Sequence, residues 1–101
     1  MSTGTVRVLI YAVADQEGVE HAYHQISTAL LGTPGLLGNE LLRGFGPGEG
    51  GFLVMSEWTS REAFQTWEGG ADHRDVTAPL RRYQDTERTR PFELYEVVAR
   101  Y

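Results

Sequence analysis

An α+β sandwich of ferredoxin-like type, β-α-β-β-α-α-β with a four-stranded antiparallel sheet, is the fold class this sequence predicts. Two observations carry that prediction. Four runs have strand character, residues 5–13, 35–45, 52–58 and 92–100, and helical periodicity fills the gap after the first and the gap before the last. The second and third runs are joined by the glycine-rich segment GFGPGEGG (44–51), which marks a hairpin loop. No internal repeat or linker interrupts the 101 residues, so they read as one domain.

The first strand, TVRVLIYAV, sets Val6, Val8, Ile10 and Ala12 on one face and Leu9, Tyr11 and Val13 on the other. An antiparallel sheet with one wet face alternates apolar and polar residues. This strand is apolar on both faces, which predicts helices on one side and a second subunit on the other. Asp15 can cap the first helix, whose buried stripe is Val19, Ala22, Tyr23, Ile26 and Leu30, ending at Gly32-Thr33-Pro34. His21, Gln25 and Thr28 fall outside that stripe, with His24 at its boundary. The second strand bends or bulges at Gly38 and places Asn39, an uncharged polar residue, among leucines.

Residues 52–74, FLVMSEWTSREAFQTWEGGADHR, hold the densest signals. The strand FLVMSEW leads to Thr59, which can open a capping box with Glu62. Ala63, Phe64 and Trp67 then recur at helical spacing, and Gly69-Gly70 ends that helix. Asp72 can cap a further helix with His73 and Arg74 in its first turn, and Pro79 kinks or restarts it. A mixed-charge loop from Arg81 to Arg90 precedes Pro91 and the last strand.

Composition narrows the function. The net charge of −5 argues against nucleic acid or an anionic membrane as partner. There is no cysteine, which excludes disulfides, thiolate metal sites and cysteine nucleophiles. All nine basic residues are arginine, so a Schiff-base lysine is impossible. No run suits a signal peptide or a bilayer span, and a cytoplasmic protein is expected. His21 and His24 are three apart, yet no further ligand completes a set, so no metal site is expected.

A strand ending in Glu57-Trp58, followed by Ser60, Arg61, Glu62, Ala63, Phe64, Trp67, Asp72, His73 and Arg74, resembles the antibiotic biosynthesis monooxygenase family. The resemblance implies a dimeric ferredoxin-like α/β barrel. It also implies chemistry on aromatic polyketides with molecular oxygen and no bound cofactor. Two departures stand out. Anthrone-oxidising relatives carry asparagine four residues before the strand-end tryptophan and tyrosine six after it, where this chain has Val54 and Phe64. The haem-degrading branch has a histidine ten residues beyond its helical tryptophan, where this chain has Thr77.

On that resemblance Trp58 and Trp67 line a pocket, Phe64 packs against a substrate ring, and His73 accepts the proton. Tyr11 orients an oxygen, Arg74 stabilises an enolate, and Asn39 reaches the substrate. Asn39 aside, each has a plainer alternative: core packing for the three aromatics, a surface histidine, a surface ion pair of Arg74 with Asp72 or Asp75, and dimer-interface or core packing for Tyr11. The function expected is a cofactor-independent monooxygenase that oxidises a polycyclic anthrone or phenol to a quinone. Its partners are a small aromatic substrate, oxygen and a second copy of the chain. The alternatives are an aromatic polyketide cyclase or isomerase, and a non-catalytic stress-response barrel that binds a small ligand.

Overall fold

A computed structural model describes residues 4–13, 16–45, 51–70, 77–79, 83 and 92–101. Its elements are β1 (Val6–Val13), α1 (Gln16–Ala29), β2 (Leu36–Arg43), β3 (Gly51–Trp58), α2 (Arg61–Glu68) and β4 (Glu93–Glu96). Residues 77–79 are also helical. The four strands form one antiparallel sheet in the order β2-β3-β1-β4, with both helices on one face, the ferredoxin-like arrangement. The expected cap Asp15, the tip of the β2–β3 loop and most of the charged stretch before β4 lie outside the described residues.

The parity of β1 determines what the helices cover. Val6, Val8 and Ala12 are buried beneath them, paired in register with Trp58, Ser56 and Phe52 of β3. Two buried groups result. One joins Ala12 and Phe52 to Val19, Ala22, Ile26 and Leu30 of α1, as the helical stripe predicts. The other joins Val6, Val8 and Trp58 to Phe64 of α2. Leu36 and Trp67 pack against both groups and bridge them.

Helix α1 is tied to the edge strand β2 at one residue. Tyr23 Oη donates to the Asn39 carbonyl (3.1 Å), and Ser27 Oγ donates to Asn39 Oδ1 (3.0 Å). The two donors are four apart, hence on one helix face. The bulge of β2 falls between Leu36 and Gly38, next to the position the sequence indicates. Two other boundaries differ from the sequence expectation. Thr59 does not cap α2; it still belongs to the sheet side of the corner, its N–H donating to the Gly35 carbonyl (2.8 Å). Ser60 is extended and takes the cap instead, accepting from the Ala63 N–H at 3.0 Å, so no reciprocal carboxylate forms a box. Strand β4 is shorter than residues 92–100. It pairs only with Val6–Leu9, and after the Val97 N–H reaches the Thr5 carbonyl (2.8 Å) no more of β1 remains to pair with.

The opposite sheet face carries Arg7, Leu9 and Tyr11 of β1, Leu53, Met55 and Glu57 of β3, Leu42 of β2 and Tyr95 of β4. Its centre, Leu9, Tyr11, Leu53 and Met55, is half-buried and flanked in the register by Glu40 and Glu93, and its end is held by Glu57, which accepts from Arg7 Nε at 3.2 Å and from Arg100. Burial opposes ionisation of Glu57, but the hydrogen bonds and charges of the two guanidinium groups outweigh it and hold the carboxyl below its usual range. A depressed carboxyl stabilises the fold above the unfolded-state pKa, and that stabilisation is lost as pH falls through the folded-state value. Glu57→Gln is expected to cost about 1 kcal/mol at neutral pH. It should also flatten the acid limb of a plot of denaturation midpoint against pH, whereas an unchanged acid limb would show that the pairing contributes nothing.

Candidate ligand seam beside the tryptophans

The corner between β3 and α2 gathers aromatic rings because Trp58 faces the helices and α2 returns over the strand end. Trp58 and Trp67 have ring centroids 5.2 Å apart. Phe64 stands edge-on to Trp58 at 5.6 Å and to Phe92 at 5.3 Å. Such pairs add roughly 0.5–1.5 kcal/mol each beyond the area they bury. Phe92, just before β4, is a member of this cluster that sequence reasoning did not single out.

Trp58 is 1% exposed, and its Nε1–H donates to Ser56 Oγ at 2.9 Å. A ring so enclosed, with its only polar group already engaged, does not meet a ligand directly. Trp67 differs: it is half-buried and packs against both core groups.

The junction is a seam across the helix-facing side of the sheet. Ile10, Val54 and Ser56 belong to the two central strands and face the helices, yet none is fully buried. Central helix-facing positions are normally closed by packing, as Val8 and Phe52 are here. Asn39 lies directly across from Ser56 in the β2–β3 register, and Leu36 and Leu41 continue the same wall. The seam therefore joins an apolar floor, one half-buried indole and two neutral polar side chains. Such a surface suits a flat aromatic molecule with a few oxygens.

The seven residues expected at the site divide into three groups. Trp58, Phe64, Trp67 and Asn39 all lie on the helix-facing side. Tyr11 pairs with Leu53 on the other face, with Tyr95 near it, and the sheet separates it from the tryptophans. Its strand parity, five residues from Val6, is the reason. His73 and Arg74 lie outside the described residues. Ser56 and Ser27 were missed; the available signal for Ser56 was a lone hydroxyl two residues before Trp58, on the same face of an apolar strand. Among the described residues no group of three His, Asp or Glu is placed to hold a metal, and no helix is long and apolar enough to cross a membrane.

Comparison with known proteins agrees with this architecture. The family model for antibiotic biosynthesis monooxygenase matches residues 11–78. No curated protein sequence matches the chain. Among solved structures, SnoaB of Streptomyces nogalater, described as a cofactor-independent oxygenase, superposes with a TM-score of 0.70 at 17% identity, covering 96% of this chain and 93% of its own. The heme-degrading protein Rv3592 of Mycobacterium tuberculosis gives 0.69 at 24% identity, with 96% and 98% covered. A dimeric protein of ferredoxin-like fold from Bacteroides fragilis gives 0.63 at 14% identity, with 95% and 99% covered. At these identities the likeness is one of fold.

Proposed function

Because the chain belongs to the antibiotic biosynthesis monooxygenase family, we propose that it is a cofactor-independent monooxygenase that oxidises a polycyclic anthrone or phenol to a quinone. The observation that carries this reading is the seam, an incompletely closed strip with Trp67 as one wall and the neutral polar pair Asn39 and Ser56 opposite apolar residues. The architecture it shares with SnoaB, an oxygenase described as needing no cofactor, supports it.

In this reading the ring system lies against Trp67, and Phe64 and Trp58 hold that indole in place from behind. His73 takes a proton from the ring methylene, and Arg74 offsets the charge that develops. The resulting carbanion is electron-rich enough to reduce molecular oxygen. A C–O bond forms, and loss of water leaves a carbonyl, so the methylene and O2 become a carbonyl and H2O. The protein's contribution is orientation, exclusion of bulk water and assistance in deprotonation. A cyclase would use the same surface to hold an enolate, but its product gains no oxygen.

The homodimer belongs to this proposal. The apolar, half-buried sheet face with Leu9, Tyr11, Leu53 and Met55 suits a second copy, and a dimeric relative in fold exists. Packing two sheets face to face would complete an α/β barrel.

His73→Ala is expected to lower turnover of a simple anthrone roughly a hundredfold. Trp58→Phe, which keeps the ring but frees Ser56 from its indole partner, should lower it by about tenfold. Steady-state oxygen uptake checks both. Unchanged rates in the two variants would show that this mechanism is wrong.

A further inference from the structure

Asn39 and Ser56 are held in a way that specifies what they present to the seam. Ser56 Oγ accepts from Trp58 Nε1 at 2.9 Å, so one of its two acceptor lone pairs is occupied and its own O–H can serve as a donor. The Asn39 amide is oriented by Ser27, whose Oγ donates to Oδ1 at 3.0 Å, which turns the Nδ2 end of the amide away from α1. The main chain of Asn39 is fixed at the same time by Tyr23, which donates to its carbonyl at 3.1 Å. The two residues are direct partners in the β2–β3 register, which brings their Cβ atoms within roughly 4.5–5.5 Å of one another on the same face.

Resting on the monooxygenase reading above, we propose that Asn39 Nδ2 and Ser56 Oγ form a two-donor cradle for an anionic oxygen, the phenolate or enolate of an aromatic bound in the seam. Three features fit an anion rather than a neutral acceptor. Ser27 and Trp58 each donate to an acceptor atom of the pair, which leaves Asn39 Nδ2 and the Ser56 O–H to serve as donors to a ligand. Both are half-buried, in surroundings where hydrogen bonds to charge are strengthened. The described residues packed beside them, Ile10, Leu36, Leu41, Val54, Trp67 and Tyr83, include no carboxylate. Ser27 and Trp58 are then positioning residues: neither touches the ligand, and each fixes the atom that does. The cradle favours the deprotonated substrate, the form that reacts with oxygen, and stabilises charge where it develops.

The test is an anaerobic titration, in which no turnover can occur. A hydroxylated anthrone such as dithranol is bound to the wild-type protein, and its ionisation is followed by visible absorbance as pH is raised. The bound anthrone should ionise at lower pH than the free one. Ser56→Ala and Asn39→Ala should each raise that midpoint by about one pH unit, a tenfold loss of preference for the anion. Far-UV circular dichroism of each variant should match the wild type, which shows that the variants are folded. Ser56→Thr retains the hydroxyl and should restore the wild-type midpoint, while Ser27→Ala should shift it upward by less than Asn39→Ala. An anthrone that binds and is turned over, but with the same midpoint in wild type, Ser56→Ala and Asn39→Ala, would overturn the cradle and leave the monooxygenase reading intact. An anthrone that does not bind the wild type at all would overturn both.

Discussion

Trp58→Ala is expected to lower the free energy of unfolding by about 3–5 kcal/mol, the range for removing a large aromatic side chain from a closed core. The indole is 1% exposed, touches Phe64 and Trp67 of α2 and shares its buried group with Val6 and Val8 of β1, so its loss leaves a cavity between helix and sheet. It also strips Ser56 Oγ of its donor. Trp58→Phe should cost clearly less, because a ring remains to pack against Phe64. Urea denaturation followed by far-UV circular dichroism measures both. A Trp58→Ala cost below 1 kcal/mol would mean that the aromatic cluster is not the core of this corner.

Gly35→Ala should be nearly as damaging although it adds only a methyl group, with an expected cost of about 2–5 kcal/mol. Gly35 has φ of +83°, where an L side chain costs roughly 1–2 kcal/mol. A Cβ at that position would also lie 2.5 Å from the Ala63 Cβ and 3.2 Å from Thr59 Oγ1. Overpacking of this kind typically costs about 1–3 kcal/mol. Relief would require α2 to move away from β2, which would shift Trp67 and open the seam. Alanine at Gly32 has the same strained φ (+84°) but nothing within 4 Å of the added methyl, so it isolates the backbone share. If the two variants lose equal stability in the same denaturation experiment, the proposed contact between β2 and α2 has no energetic role.

The fold was legible because it follows from periodicity. The alternation along β1 and the 3.6-residue stripe of α1 identify their buried residues almost one for one, from Val6 and Val8 to Val19 and Ile26. Where expectation and structure part, a tertiary contact decides. Thr59 and Ser60 are both good caps in sequence, and only the hydrogen bond from Thr59 back to Gly35 assigns the role to Ser60. The end of β4 depends on where β1 begins, which residues 92–100 do not encode. The site was legible in part. Clustered aromatics marked the corner, and Asn39 stood out among leucines. The roles of Ser56 and Ser27 depend on strand register and helix docking, so neither serine is distinctive in the sequence alone. Tyr11 shows the reverse: its parity already placed it on the face away from Trp58, and the family resemblance drew it toward the site.

Oxygen uptake by the purified, metal-stripped protein with dithranol or emodin anthrone tests the central claim most directly. The account predicts consumption well above the spontaneous rate, with a product that has gained one oxygen and lost two hydrogens. A flat trace under conditions where quenching of tryptophan fluorescence shows the anthrone bound would contradict it, and would leave a protein that holds such a molecule without oxidising it.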